Sequence, residues 1–130
     1  GEDYDFWLKA SRVAEIHSLN GPVALYRIHG ASAMHQLSPE SHLVNLLNAA
    51  AMRWGLSAPN GESLSSKTFA NRLARVYFDH GYAHYWRGDR AIARVAFWHA
   101  LRHGHRRLRC LAYIFLSFSA PRHATQPPPS

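Results

Sequence analysis

Between residues 66 and 119 the chain admits one kind of structure. No proline occurs there, and apart from Gly81 glycine falls only at Gly88 and Gly104, with Pro121 just beyond. Glycine past a helix end and proline beyond it are stop signals, because glycine adopts the left-handed backbone that closes a helix and proline cannot continue one. The spacing predicts three helices, over about 66–86, 90–103 and 106–119. Gly88-Asp89 stops the first and caps the second, and Gly104 breaks the second from the third. A chain of 130 residues holds one small domain with one core, so these helices set the class as mostly α.

The first part of the chain is mixed. Residues 4–14 read as a short helix with Trp7, Ala10 and Ala14 on one face and Asp5 and Lys9 paired outside. Asp3 suits its N-cap. "NG" at 20–21 is a turn signal, and "PVALYRIH" after it reads as a strand, with 15–19 as its hairpin partner. Ser38-Pro39-Glu40 has the order of a helix start. Leu43, Leu46, Leu47, Ala50, Ala51 and Trp54 make that helix's apolar stripe, and Gly55 ends it. Residues 56–65 read as a polar loop, and 121–130 as a disordered or extended tail.

Composition narrows the function classes. The single cysteine, Cys110, excludes an internal disulfide framework and a four-cysteine zinc site. No N-terminal stretch has signal-peptide order, and the apolar run over 111–118 is far short of the ~20 residues a spanning helix needs. A cytoplasmic location is the resulting expectation. Charge is split: residues 1–66 carry 4 Lys/Arg against 6 Asp/Glu, and residues 67–130 carry 11 against 2. The basic half suits an anionic neighbour; a solvated face without a partner is the alternative.

Two groupings carry chemistry. Glu2 and Asp3 are carboxylates that could deprotonate an alcohol, or simply cap a helix. Arg27 and His29 share a strand face and could hold a diphosphate, His29 directly or through a metal; an ordinary hydrogen-bonded histidine is the alternative. Together, "EDYDFWLKASR" followed by "LYRIHGASAM" resembles the C-terminal part of the catalytic domain in family 2 glycosyltransferases, which have the GT-A fold. The matching residues are Glu2, Asp3, Asp5, Trp7, Leu8 and Lys9, then Tyr26, Arg27, His29 and Ser32, within about the first quarter of the chain.

The resemblance implies roles. Asp3 would be the general base for an acceptor hydroxyl, Glu2 would bind or position the acceptor, and Trp7 would pack beneath it. His29 would face the donor diphosphate or its Mg²⁺ or Mn²⁺, with Arg27 nearby. The partners implied are a nucleotide-sugar and a hydroxyl acceptor, in surface polysaccharide or glycolipid assembly. The family's nucleotide-binding half and its D-x-D segment precede the ED motif and have no counterpart here, so the chain reads as a C-terminal fragment, inactive alone.

Further along, Tyr77, Gly81, Ala93, Phe97 and Ala100 resemble the tetratricopeptide pattern, with His80, His84 and His105 where Leu, Tyr and Pro are usual. One such pair is an appended hairpin or a protein-binding module rather than a solenoid. His99 and His103 form an i,i+4 pair near His105 that suits adventitious metal binding. "YFDHGYAHYW" is aromatic, but at helical spacing such a stripe is core, and no nucleic-acid motif accompanies it. "HGHRRLRCLAYIFLSF" places arginines before an amphipathic helix. Either that helix docks on an anionic membrane surface, or it packs Leu108, Leu111, Phe115 and Phe118 on the hairpin. The expected organisation is therefore residues 1–36 as the acceptor side of a GT-A domain with a short β-hairpin, 37–120 as a helical extension, and 121–130 as a tail.

Overall fold

The computed structural model describes residues 2–25, 37–104 and 106–118. They form five helices: α1 (Glu2–Ala10), α2 (His42–Trp54), α3 (Ser66–Arg87), α4 (Arg90–Arg102) and α5 (Arg107–Leu116). The described part is thus mostly helical. The first helix starts earlier than expected and ends in a turn over 11–13, so Asp3 lies inside its first turn rather than at the cap. Residues 15–25 are neither helix nor strand. The rest of the expected β-hairpin, with Arg27 and His29, lies outside the described residues, as does the tail over 121–130.

Helices α2 and α3 each follow a capping serine. Ser41 Oγ accepts from the Val44 amide, and Ser65 Oγ accepts from the Thr68 amide at 3.0 Å. These oxygens satisfy amides that have no partner within the helix. Helix α2 therefore starts at His42, three residues beyond the expected proline start, because Ser41 and not Ser38 supplies the cap. Its buried residue is Val44, outside the expected stripe, whose members are half-buried. The 56–65 loop folds back on itself, with Leu56 and Leu64 joined through one amide at 2.7 Å and a single bridge between Ser57 and Ser63.

At the end of α3, Gly88 takes a left-handed φ of 93°. Its amide donates to the Tyr85 carbonyl and the Asp89 amide to the His84 carbonyl, so the chain reverses within two residues. Helix α4 then packs along α3. The approach is close at Gly81, where an added Cβ would meet Ala96 Cβ at 3.1 Å and the Ala93 carbonyl at 3.2 Å. Phe78, Ala93, Phe97, Ala100 and Cys110 form the core, with Phe97 fully enclosed. Burying a side chain of that size stabilises by about 1.5–3 kcal/mol.

Helix α5 folds back across this pair. It presents Cys110, Tyr113, Ile114 and Ser117 inward, and Tyr113 stacks on Phe97 at 5.0 Å. The expected burial of Leu108, Leu111, Phe115 and Phe118 on the hairpin does not occur: all four are exposed, and Phe118 meets α4 through the Arg94 guanidinium at 4.6 Å. The small Cys110 and Ser117 let the helix axis come close, and that selects the inward face. Two arginines of α4 close the far end of α5. Arg90 Nη1 donates to the Leu116 carbonyl at 2.9 Å and Arg94 Nη1 to the Ser117 carbonyl at 3.0 Å. Cations at a helix C-terminus also oppose its dipole favourably.

Candidate functional site

Asp3 projects from the first turn of α1 into solvent, with no ion-pair or hydrogen-bond partner among the described residues. Glu2 opens the same turn. Trp7, one turn after Asp3, is 54% exposed rather than packed, and touches Phe6 edge-on at 5.2 Å. Asp5 differs from Asp3 in being ion-paired with Lys9. The segment after α1 is tied to the helical part by Arg12, whose Nη1 donates to the Ser57 carbonyl at 2.7 Å and whose guanidinium lies 5.7 Å from the Trp54 ring. Helix α1 thus brings Asp3 and Trp7 onto one accessible face. Arg27 and His29, the other half of the expected site, lie outside the described residues. So does any test of the metal that His29 was expected to hold.

A second site lies between α3 and α5. A cleft of about 660 Å³ is walled by Phe78, Tyr82, Tyr85, Trp86 and Tyr113, with Arg106 and Arg109 on its rim and Asp79 opposite. Tyr113 meets Tyr85 at 5.0 Å and Tyr82 at 5.6 Å between ring centres. Burial pushes the Tyr113 hydroxyl above its ordinary range, and the neighbouring Tyr82 adds to that, so it remains a neutral donor. Arg106 adopts a left-handed φ of 40° that places its guanidinium 5.5 Å from the Phe78 ring. That cation–π contact offsets a backbone conformation which non-glycine residues seldom adopt. The sequence placed this aromatic run in the core; it also lines an open cleft.

Two histidines of α3 hold the segment ahead of α2. His84 is 1% exposed; its Nδ1 lies 2.9 Å from Asp89 Oδ2 and its Nε2 2.9 Å from the Ser38 carbonyl. Both ring nitrogens are thus engaged, and the ring ties the end of α3 to the 38–41 segment. Asp89 spends its carboxylate on this bond instead of capping α4, where it makes no side-chain cap. One turn earlier, His80 Nε2 lies 3.2 Å from the Pro39 carbonyl. Desolvation holds the His80 imidazole below its ordinary pKa; the Pro39 bond opposes this and His84 adds to it. Two histidines thus fasten consecutive carbonyls of the 38–41 lead-in to α3. His99 stacks on Tyr77 at 4.8 Å and His103 lies 6.1 Å from the same ring. Among the described residues no three metal-ligating side chains converge.

Cys110 is fully enclosed and its thiol is pushed up by burial, which keeps it a protonated core residue. No described helix is long and apolar enough to cross a membrane. No family model, curated protein or solved structure matches the chain.

Proposed function

We propose that the chain is the acceptor-side portion of an inverting, family 2-like glycosyltransferase carrying a helical extension. The observation that carries this reading is the pair on α1: a solvent-facing Asp3, without a partner among the described residues, with an exposed Trp7 on the next turn. A base must be reachable by the hydroxyl it deprotonates, and an indole face offers a flat apolar surface to a sugar ring. The ordered resemblance of the ED segment and the "YRIH" segment supports the same assignment.

In this reading the acceptor hydroxyl donates its proton to Asp3. The oxygen then attacks the anomeric carbon from the face opposite the departing nucleoside diphosphate, inverting the centre. Glu2 holds the acceptor, and Arg27 and His29 face the diphosphate. Mg²⁺ or Mn²⁺, bound with the donor, would neutralise charge growing on the leaving group. A donor-binding half supplies the nucleotide and the electrophile, so the 130-residue chain by itself turns nothing over. The test is to incubate the purified chain with nucleotide-sugars, alone and joined to a family 2 donor-binding half. Nucleoside diphosphate release only in the joined form supports the assignment, and release by the chain alone contradicts it.

A second reading, a non-catalytic helical interaction module, is favoured by the α3–α5 cleft, whose aromatic walls and arginine rim suit a peptide. An aromatic-cleft variant such as Tyr82→Ala that abolishes partner capture, with Asp3→Asn silent in transfer, would favour the module.

A further inference from the structure

Helix α5 turns a strongly apolar face outward. Leu108 is 84% exposed, Leu111 50%, Phe115 76% and Phe118 72%. At spacings of three and four residues these side chains form one ridge along the helix and its final turn, turned away from the core residues Cys110, Tyr113 and Ser117, with the Arg94 guanidinium 4.6 Å from the Phe118 ring at its end. Four large apolar groups in one exposed row are more than the scattered apolar residues of an ordinary surface.

The flanks of the ridge are basic. On the helical circumference Arg107 borders one side; on the other, Arg109 follows Leu116 a quarter turn from Leu108, while Arg106, ahead of the helix, lies over the Phe78 ring. Arg106, Arg107 and Arg109, with Leu108, edge an open hollow of about 570 Å³ at the start of the helix. No Asp or Glu follows Asp89 anywhere in the sequence, while six arginines fall between Arg90 and Arg109. Among the described residues none of Arg106, Arg107 and Arg109 has a carboxylate partner.

We propose that this face of α5 docks on an anionic lipid surface, the ridge entering the acyl boundary and the arginines meeting headgroup phosphates. An apolar row with exposed cations at its N-terminal end, here Arg107 and Arg109 beside Leu108, is the pattern of helices that lie in the membrane interface. A second copy of the chain fits the face poorly. Two ridges meeting about a twofold axis would bring the same arginines together, with no acid on α4 or α5 to separate them. The proposal stands independently of the transferase reading, since it uses no residue of α1.

Vesicle co-sedimentation of the full 130-residue chain tests it, with vesicles of phosphatidylcholine alone or mixed with phosphatidylglycerol. Binding should require phosphatidylglycerol and weaken as salt rises. Leu108→Ser with Phe115→Ser should lower it at least about tenfold. Arg107→Gln with Arg109→Gln should lower it by about fivefold per arginine. Met52→Ser, an exposed apolar change on α2, should leave it intact. All these positions are exposed, so thermal melts of the variants should match the parent. Equal binding to neutral vesicles, unaltered binding by the ridge variants, or no binding to either vesicle overturns the proposal. A ridge-dependent dimer in sedimentation velocity without vesicle binding assigns the face to self-association, and ridge-dependent capture of an acidic peptide without vesicle binding assigns it to a protein; either result overturns it too.

Discussion

Substituting Gly81 tests how the helical part is held together. A methyl group built there stands 3.1 Å from Ala96 Cβ, 3.2 Å from the Ala93 carbonyl oxygen and 3.2 Å from Phe97 Cδ1. Carbon atoms prefer about 3.5–4.0 Å, and the carbonyl belongs to the α4 backbone, so α4 must move away as a unit. Overpacking of this kind costs about 1–3 kcal/mol. Against it, alanine is a better helix former than glycine by about 1 kcal/mol. The net expectation for Gly81→Ala is a loss of about 1 kcal/mol. For a domain of this size that corresponds to a fall in Tm of about 4–8 °C. Gly81→Val adds two further methyl groups to the same gap and should lose more than about 3 kcal/mol. Thermal and urea unfolding followed by far-ultraviolet circular dichroism reads both. Ala96→Gly removes the nearest carbon, so it should recover part of the loss when combined with Gly81→Ala, as a positive coupling in a double-mutant cycle. If Gly81→Ala instead raises the midpoint, as at an open helical position, the close approach of α3 and α4 is wrong.

Two further outcomes follow from the histidines. Replacing His84 with Phe keeps the volume but strands the Ser38 carbonyl and removes the Asp89 bond; a loss of about 2–4 kcal/mol is expected from one hydrogen bond to a carboxylate and one buried carbonyl left unpaired. Hydrogen exchange should show protection falling first over 38–54; unchanged protection there would mean that the lead-in to α2 is held by something else. His80 and His99 both have folded pKa values below the ordinary 6.5, chiefly because burial disfavours their charged forms. As pH falls below 6.5 the unfolded chain takes up these protons before the folded chain does, so stability present above 6.5 declines toward the lower folded values. The urea midpoint should therefore drop between pH 7.5 and 5.5, and His80→Gln with His99→Gln should flatten that dependence; an unaltered slope would remove both residues from it.

The sequence shows the helical half more plainly than the site. Gly88 and Gly104 occupy backbone positions with φ near 90° and 80° that other residues avoid, so α3, α4 and α5 could be bounded from composition alone. The face of α5 could not. Its strongest apolar stripe, Leu108 to Phe118, points outward, because the inward face was selected by the small Cys110 and Ser117, which periodicity weighs lightly. In the sequence His84 stands out only as a departure from a repeat pattern. Its partners, Asp89 across a glycine turn and the Ser38 carbonyl 46 residues away, become neighbours only when α3 ends where it does. Helix α2 does not start at Ser38 for a related reason: the Ser38 carbonyl is engaged by that histidine while Ser41 caps the helix. At the candidate site, Asp3 and Trp7 share a face as residues i and i+4 of any helix do, whereas their relation to Arg27 and His29 depends on residues outside the described structure.

Asp3 as the proton acceptor is tested most directly by sugar transfer in Asp3→Asn and Asp5→Asn proteins in which these residues are joined to a donor-binding half. Asp3→Asn should lower kcat by about 10²–10⁴-fold with folding intact, the range removed with a general base. Asp5→Asn should lose only the Lys9 ion pair and remain active. Parental turnover by the Asp3→Asn protein would contradict the account.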